Sequence, residues 1–135
     1  MKRIYLILTL IVVFGCSKSD SPTTPERNNF LNPPEWLHGS YGHTVTFPET
    51  YVFTFDDVFW SIEVTPRLSK SYSDVYSNAE GFTVIEEFNG SSSYKFTMYD
   101  NGVAGESLEF VKISNTRIQI IYPNDPTLIL YADKL

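Results

Sequence analysis

The stretch Tyr94-Lys95-Phe96-Thr97-Met98-Tyr99 alternates large and polar side chains and then stops on Asp100-Asn101-Gly102. A period of two puts Tyr94, Phe96 and Met98 on one face of a strand and Lys95 and Thr97 on the other, one side dry and one wet. The triplet that follows tolerates positive φ, so the chain reverses and the next run returns antiparallel.

Working outward, eight runs of this kind can be marked, at residues 41–47, 51–55, 58–64, 82–88, 94–99, 107–113, 117–122 and 128–132. Turn-forming residues separate them: Pro48-Glu49, Asp56-Asp57, Asn89-Gly90-Ser91, Ser114-Asn115 and Pro123-Asn124-Asp125-Pro126. No long apolar repeat of helical period is present. Alternation groups Tyr41, His43, Val45 and Phe47 against Thr44 and Thr46, and Tyr51, Phe53 and Phe55 against Val52 and Thr54. Trp60, Ile62 and Val64 likewise oppose Ser61 and Glu63, whereas Val111 and Ile113 share a face with Glu109.

Short turns predict an all-β fold, an antiparallel eight-stranded up-and-down barrel whose first and last strands pair and remove the exposed edges. An immunoglobulin-like β-sandwich is the alternative, but its Greek key needs a long crossover. The one long connection, residues 65–81, reads as a lid, an extra strand or a helical turn.

The first 15 residues belong to a different population, 11 of them apolar. Lys2 and Arg3 precede an apolar run over residues 4–14, which fits a secretory signal and is too short for a membrane span of roughly 20 residues. Val13-Phe14-Gly15-Cys16 then resembles the lipobox of bacterial lipoproteins, with a bulky Phe14 where a smaller residue is usual. The resemblance implies cleavage after Gly15 and lipid attachment at Cys16, with fatty acyl chains such as palmitate each adding about 0.8 kcal/mol of membrane affinity per buried methylene. Ser17 resembles the residue of lipoproteins sorted to the outer membrane, with either face of that membrane open. Residues 17–34 hold four Pro and few apolar side chains and read as a tether of roughly 20–25 Å. The expected organisation is residues 1–15 signal, 16–34 lipidated Cys and tether, 35–135 barrel domain.

Trp36-Leu37-His38-Gly39-Ser40-Tyr41 adds a family signal. Small lipocalin-like barrels often open with an aromatic, a short turn and Gly-x-Trp, and Gly39-Ser40-Tyr41 stands in that place with Tyr for Trp. Together with the run count and the lipobox, residues 35–135 resemble the small lipocalin-like lipoproteins of Gram-negative bacteria. That resemblance implies a barrel open at one end, often holding a small apolar ligand.

A barrel of eight strands is just wide enough to be filled by side chains or to hold one small ligand. Tyr41, His43, Tyr51, Phe53, Trp60, Tyr94 and Phe96 are the candidate ligand-binding residues, because aromatic walls with a few hydroxyls suit a small apolar or amphipathic molecule. Catalysis has little support. His38 and His43 have no Cys partner and no metal-ligand spacing, so no metal, cofactor or catalytic residue is expected. Glu86 and Glu87 fall on opposite faces of one strand, and Asp56-Asp57 suit a hairpin turn better than calcium. The chain carries a formal charge of −6, and loss of Lys2 and Arg3 with the signal makes it more acidic, which disfavours nucleic acid. Two functions remain: a lipid-anchored lipocalin-like binder of a small ligand, or a non-catalytic module docking on another envelope protein.

Overall fold

The computed structural model describes residues 31–64, 66–74 and 79–135. The signal, the lipobox with Cys16, most of the tether, and Thr65 and Tyr76 of the long connection lie outside the described residues. A 3₁₀ turn at Glu35–Leu37 leads into nine strands: β1 (Gly39–Thr44), β2 (Pro48–Phe53), β3 (Val58–Ile62), β4 (Leu68–Ser71), β5 (Phe82–Asn89), β6 (Ser93–Asp100), β7 (Val103–Lys112), β8 (Arg117–Ile121) and β9 (Ile129–Lys134).

All nine belong to one sheet in the order β4-β3-β2-β1-β9-β8-β7-β6-β5, each pair antiparallel. A single sheet replaces the two packed layers of the sandwich alternative. The sheet curls strongly, since Phe53 on β2 meets Phe110 on β7 at 4.8 Å between ring centroids although three strands separate them in the sheet. Across the rim, Lys70 on β4 reaches Glu106 on β7 at 3.4 Å.

The expected count of eight is corrected to nine. Each of the eight runs overlaps a strand, although β2 starts at Pro48 and takes in the Pro48-Glu49 pair expected as a turn, and the ninth is β4, inside the long connection. Closure differs too. β1 and β9 do pair antiparallel, but through only two residue pairs, Tyr41↔Lys134 and Gly42↔Asp133. Following the alternation round the sheet, β4 and β5 run in the same direction, so no hairpin can join them. Among the described residues the result is a curled half-barrel, with β4 and β5 as its edges.

Residues 72–74 are helical and place Tyr72 between those edges, its ring 5.0 Å from Phe96. Asp57 anchors that turn. Its carboxylate accepts from the Val58 and Ser73 amides, at 2.7 and 2.9 Å, and from the Ser71 hydroxyl. Asp56-Asp57 therefore form the β2–β3 turn, as expected, but Asp57 also ties it to the end of β4.

Alternation places the core correctly where pairing continues and misplaces it where pairing stops. Tyr41, Tyr51, Phe53, Tyr94, Phe96 and Met98 are buried, whereas Val45, Phe47 and Phe55, assigned to the same inner faces, are 68%, 47% and 72% exposed. They lie in the turns beyond Thr44 and Phe53, in phase but past the last ladder bonds. The Asn101-Gly102 turn has φ of 47° and 81°, the double left-handed geometry of a two-residue hairpin. Gly39 starts β1 at φ 124°, and a Cβ there would sit 2.8 Å from Lys134 Cε, so the first strand requires glycine at its entry.

One end of the barrel is plugged by the chain that precedes β1. Leu31 and Leu37 are fully buried in the core. The Leu31 amide donates to Ser73 Oγ, the Asn32 amide to Glu86 Oε2, and Trp36 Nε1 to the Gly90 carbonyl. Residues 31–34, read from the sequence as the end of the tether, are thus docked on the barrel.

Candidate functional site at the open rim

The opposite end is built by the β1–β2 hairpin. Its register sets His43 opposite Glu49 and Tyr41 opposite Tyr51, and the next pairing sets Tyr51 opposite Trp60. His43, Glu49 and Trp60 therefore share the inner face. Trp60 Nε1 donates to Glu49 Oε2 at 2.9 Å, which fixes the carboxylate 3.8 Å from His43 Nε2. The imidazole stacks on Tyr51, centroids 6.3 Å apart and planes 25° off parallel. Its side chain is only 3% exposed, yet neither ring nitrogen has a hydrogen-bond partner among the described residues.

Below this layer, the Tyr51 and Tyr122 hydroxyls are 2.9 Å apart, linking β2 to the residue after β8. Burial raises the Tyr51 phenol well above its ordinary value, with Tyr72 and Tyr122 adding to the effect, and burial raises Tyr122 as well. Lys70 lies over the rings of Tyr72 and Trp60, at 4.4 and 5.5 Å, while pairing with Glu106. Cation–π contact and ion pair together hold the rim across the sheet.

An open groove of about 470 Å³ runs along the seam where β1 and β9 part beyond Gly42↔Asp133. Gly42, Thr44 and Thr50 line it from the outer face of the hairpin, and Tyr131, Asp133 and Leu135 from the last strand and its end; His43 and Glu49 border it, but their side chains share the opposite, inner face.

Of the candidate ligand-binding residues, Tyr41, Tyr51, Phe53, Tyr94 and Phe96 come together, but on one another. Phe110 joins them, edge-on to Phe53 and Tyr51 and 6.1 Å from Phe96. These rings pack on one another in the core, with the edge-to-face contacts that aromatic pairs favour. Of these candidates only His43 borders the groove, and its side chain is turned inward, as is Trp60 beside Glu49. His38 sits at the plugged end, its ring nitrogen 2.9 Å from the Pro33 carbonyl.

The sequence reading missed Glu49, Tyr122, Lys70 and the outer residues of β9. Glu49 carried a usable signal, since it lies in phase with Tyr51 and Phe53. Glu86 and Glu87 do diverge: Glu86 takes the Asn32 amide, while Lys95 holds the Glu87 carboxyl below the usual range. Among the described residues no group of three or more His, Cys, Asp or Glu could hold a metal ion. No family model, curated protein or solved structure matches the chain.

Proposed function

We propose that this chain is a non-catalytic, lipid-anchored lipoprotein of the outer membrane, with a lipocalin-like domain that binds a small amphipathic ligand at its rim and not in its interior. The observation that carries the reading is the contrast between a core whose aromatic rings pack on one another and an open groove of about 470 Å³ along the β1–β9 seam, bordered by Val45, Tyr131, Asp133 and Leu135. Such sites combine mostly apolar walls with a few placed polar groups. The anchor rests on Cys16 in its lipobox-like setting.

Cell fractionation tests the anchor: the wild-type chain should sediment with membranes and Cys16→Ser should not, and equal distribution of the two would overturn it. A solvent extract of the purified protein should contain a low-molecular-weight amphiphile, and loss of that molecule on mutating Tyr131, which is half exposed and lines the groove, would assign it to the rim.

The second reading is a module that docks on another envelope protein. The exposed Ile129, Tyr131 and Leu135 on the outer face of β9 favour it. Crosslinking in intact cells separates the readings, because a ligand binder requires no stable protein partner.

A further inference from the structure

We propose that the groove on the outer face of the β1–β9 seam binds a neutral sugar, a pyranose ring held by one aromatic side chain and one fixed carboxylate. This inference rests on the rim-binding reading above and names its ligand class.

The strand register lays the site out. Gly42 pairs with Thr50 on one side and with Asp133 on the other, and Asp133 pairs in turn with Arg117, so the four form one transverse row across β2, β1, β9 and β8. Cross-strand partners share a face and so do alternate residues along a strand, which adds Thr44 beside Gly42 and Tyr131 beside Asp133. All of these except Arg117 line the groove. The His43 and Glu49 side chains face the other way and take no part. A side chain at Gly42 would stand between the banks formed by Thr50 and Asp133, and its Cβ alone would come within 3.1 Å of Leu135 Cδ2. Glycine leaves that space to the groove, with Leu135 as its apolar edge.

A sugar presents an apolar C–H face and a rim of neighbouring hydroxyls, and both halves have a counterpart here. Tyr131 is half exposed and offers a flat aromatic surface. Arg117 Cζ lies 5.5 Å from the centroid of that ring, while Arg117 Nε holds Asp133 at 3.4 Å. Arg117 thus positions ring and carboxylate together from β8, outside the groove itself. The Asp133 carboxylate accepts from two neighbouring hydroxyls, and the Thr44 and Thr50 hydroxyls on the opposite bank both donate and accept.

Charge and desolvation exclude the other small-molecule classes. Arg117 compensates Asp133, and no Lys or Arg lines the groove, so a phosphate or carboxylate finds no free cation. An ammonium has to compete with Arg117 for the carboxylate. An alkyl chain would desolvate Asp133 and the Thr hydroxyls without pairing them, which is costly. An uncharged polyol meets none of these penalties, and the volume of about 470 Å³ lies within the range of small-molecule sites.

The test is a titration of the full chain in a polyoxyethylene detergent, which carries no sugar. The probes are the neutral methyl glycosides of glucose, galactose, mannose and N-acetylglucosamine, with cationic glucosamine, anionic N-acetylneuraminic acid and 2-phenylethanol for comparison. Binding is followed by the Tyr131 ring resonances and by calorimetry. At least one neutral glycoside should shift Tyr131 saturably and bind at least about tenfold more tightly than the three comparison probes. Tyr131→Ala should weaken that binding at least about tenfold, and Tyr131→Phe should restore it, with thermal melts showing that each variant is folded. Arg117→Gln should weaken the neutral glycoside while strengthening glucosamine, a change of selectivity that simple loss of structure would not produce. If Tyr131→Ala does not fold, the ranking of probes on the wild-type chain decides. Saturable binding of 2-phenylethanol at Tyr131 with no binding of any neutral glycoside would overturn the sugar assignment and leave a rim site in place. Absence of a saturable shift with every probe would overturn the groove as a ligand site altogether.

Discussion

The hydroxyls of Tyr51 and Tyr122 meet at 2.9 Å across the curl of the sheet, joining β2 to the end of β8 through a bond that neither strand's ladder supplies. A buried hydrogen bond of this kind contributes about 1 kcal/mol net, and removing one partner strands the other. Tyr51→Phe and Tyr122→Phe should each lower the unfolding free energy by about 1–2 kcal/mol, and the double variant should lose less than the sum of the two. Denaturant melts of the three variants measure this; strict additivity would mean the hydroxyls do not interact.

Tyr94 gives the opposite expectation from the same substitution. It is fully buried, and its hydroxyl lies near Glu86 and the Asn32 backbone without making a hydrogen bond of good geometry to either. Tyr94→Phe removes an unsatisfied polar atom and keeps the ring against Phe96, so stability should be unchanged or rise by up to about 1–2 kcal/mol. A loss comparable to that of Tyr51→Phe would disprove the difference between the two sites.

These two tyrosines also mark what could be read from the chain alone. Their inward direction follows from alternation, and the Asn101-Gly102 reversal follows from residue chemistry, because both are local. β4 was readable only as one of three options for the long connection: Leu68-Ser69-Lys70-Ser71 has one large apolar residue, and Leu68 is 52% exposed on an edge strand, so no two-residue period exists to locate it. Val45, Phe47 and Phe55 show the reverse error, since a periodic pattern does not say where hydrogen-bonded pairing ends. The groove depends on β1 and β9 pairing through only two residue pairs. That register is a property of chain segments some ninety residues apart and leaves no trace in either segment.

The aromatic interior predicts a steep contrast between core and turn. Phe110 is fully buried between Phe53, Tyr51 and Phe96. Phe110→Ala should cost about 3–5 kcal/mol through lost burial and the cavity left behind. Phe55→Ala, at an exposed turn position in the same sequence phase, should stay within about 0.5 kcal/mol. Equal effects in thermal melts would contradict the placement of Phe55 outside the core.

Alkaline pH should unfold the domain before its interior tyrosines ionise. Burial raises the phenols of Tyr51, Tyr94 and Tyr122, so the folded state retains protons that the unfolded chain releases at its ordinary value of about 10. Their contribution to stability is complete below that value and is lost progressively as pH rises above it toward the folded values. A spectrophotometric titration should therefore resolve an early group of exposed tyrosines and a late group whose ionisation coincides with loss of β-sheet circular dichroism. A single smooth titration with the fold intact would contradict the burial of these hydroxyls.

Asp57 tests the connection that replaces the barrel's missing hairpin. Its carboxylate accepts from the Ser73 amide and the Ser71 hydroxyl, and that pair of bonds seats residues 72–74 so that Tyr72 covers Phe96 between the sheet edges. Hydrogen bonds to a charged group contribute about 1.5–3 kcal/mol. Asp57→Asn keeps one acceptor oxygen but turns an amide donor toward groups that are themselves donors. It should therefore destabilise the protein by about 2–3 kcal/mol and speed hydrogen exchange at the Ser73 amide more than at Phe96, which β6 holds between β5 and β7. Uniform acceleration across both amides would mean that the connection opens only with the whole domain; unchanged exchange at Ser73 would mean that the carboxylate does not hold it.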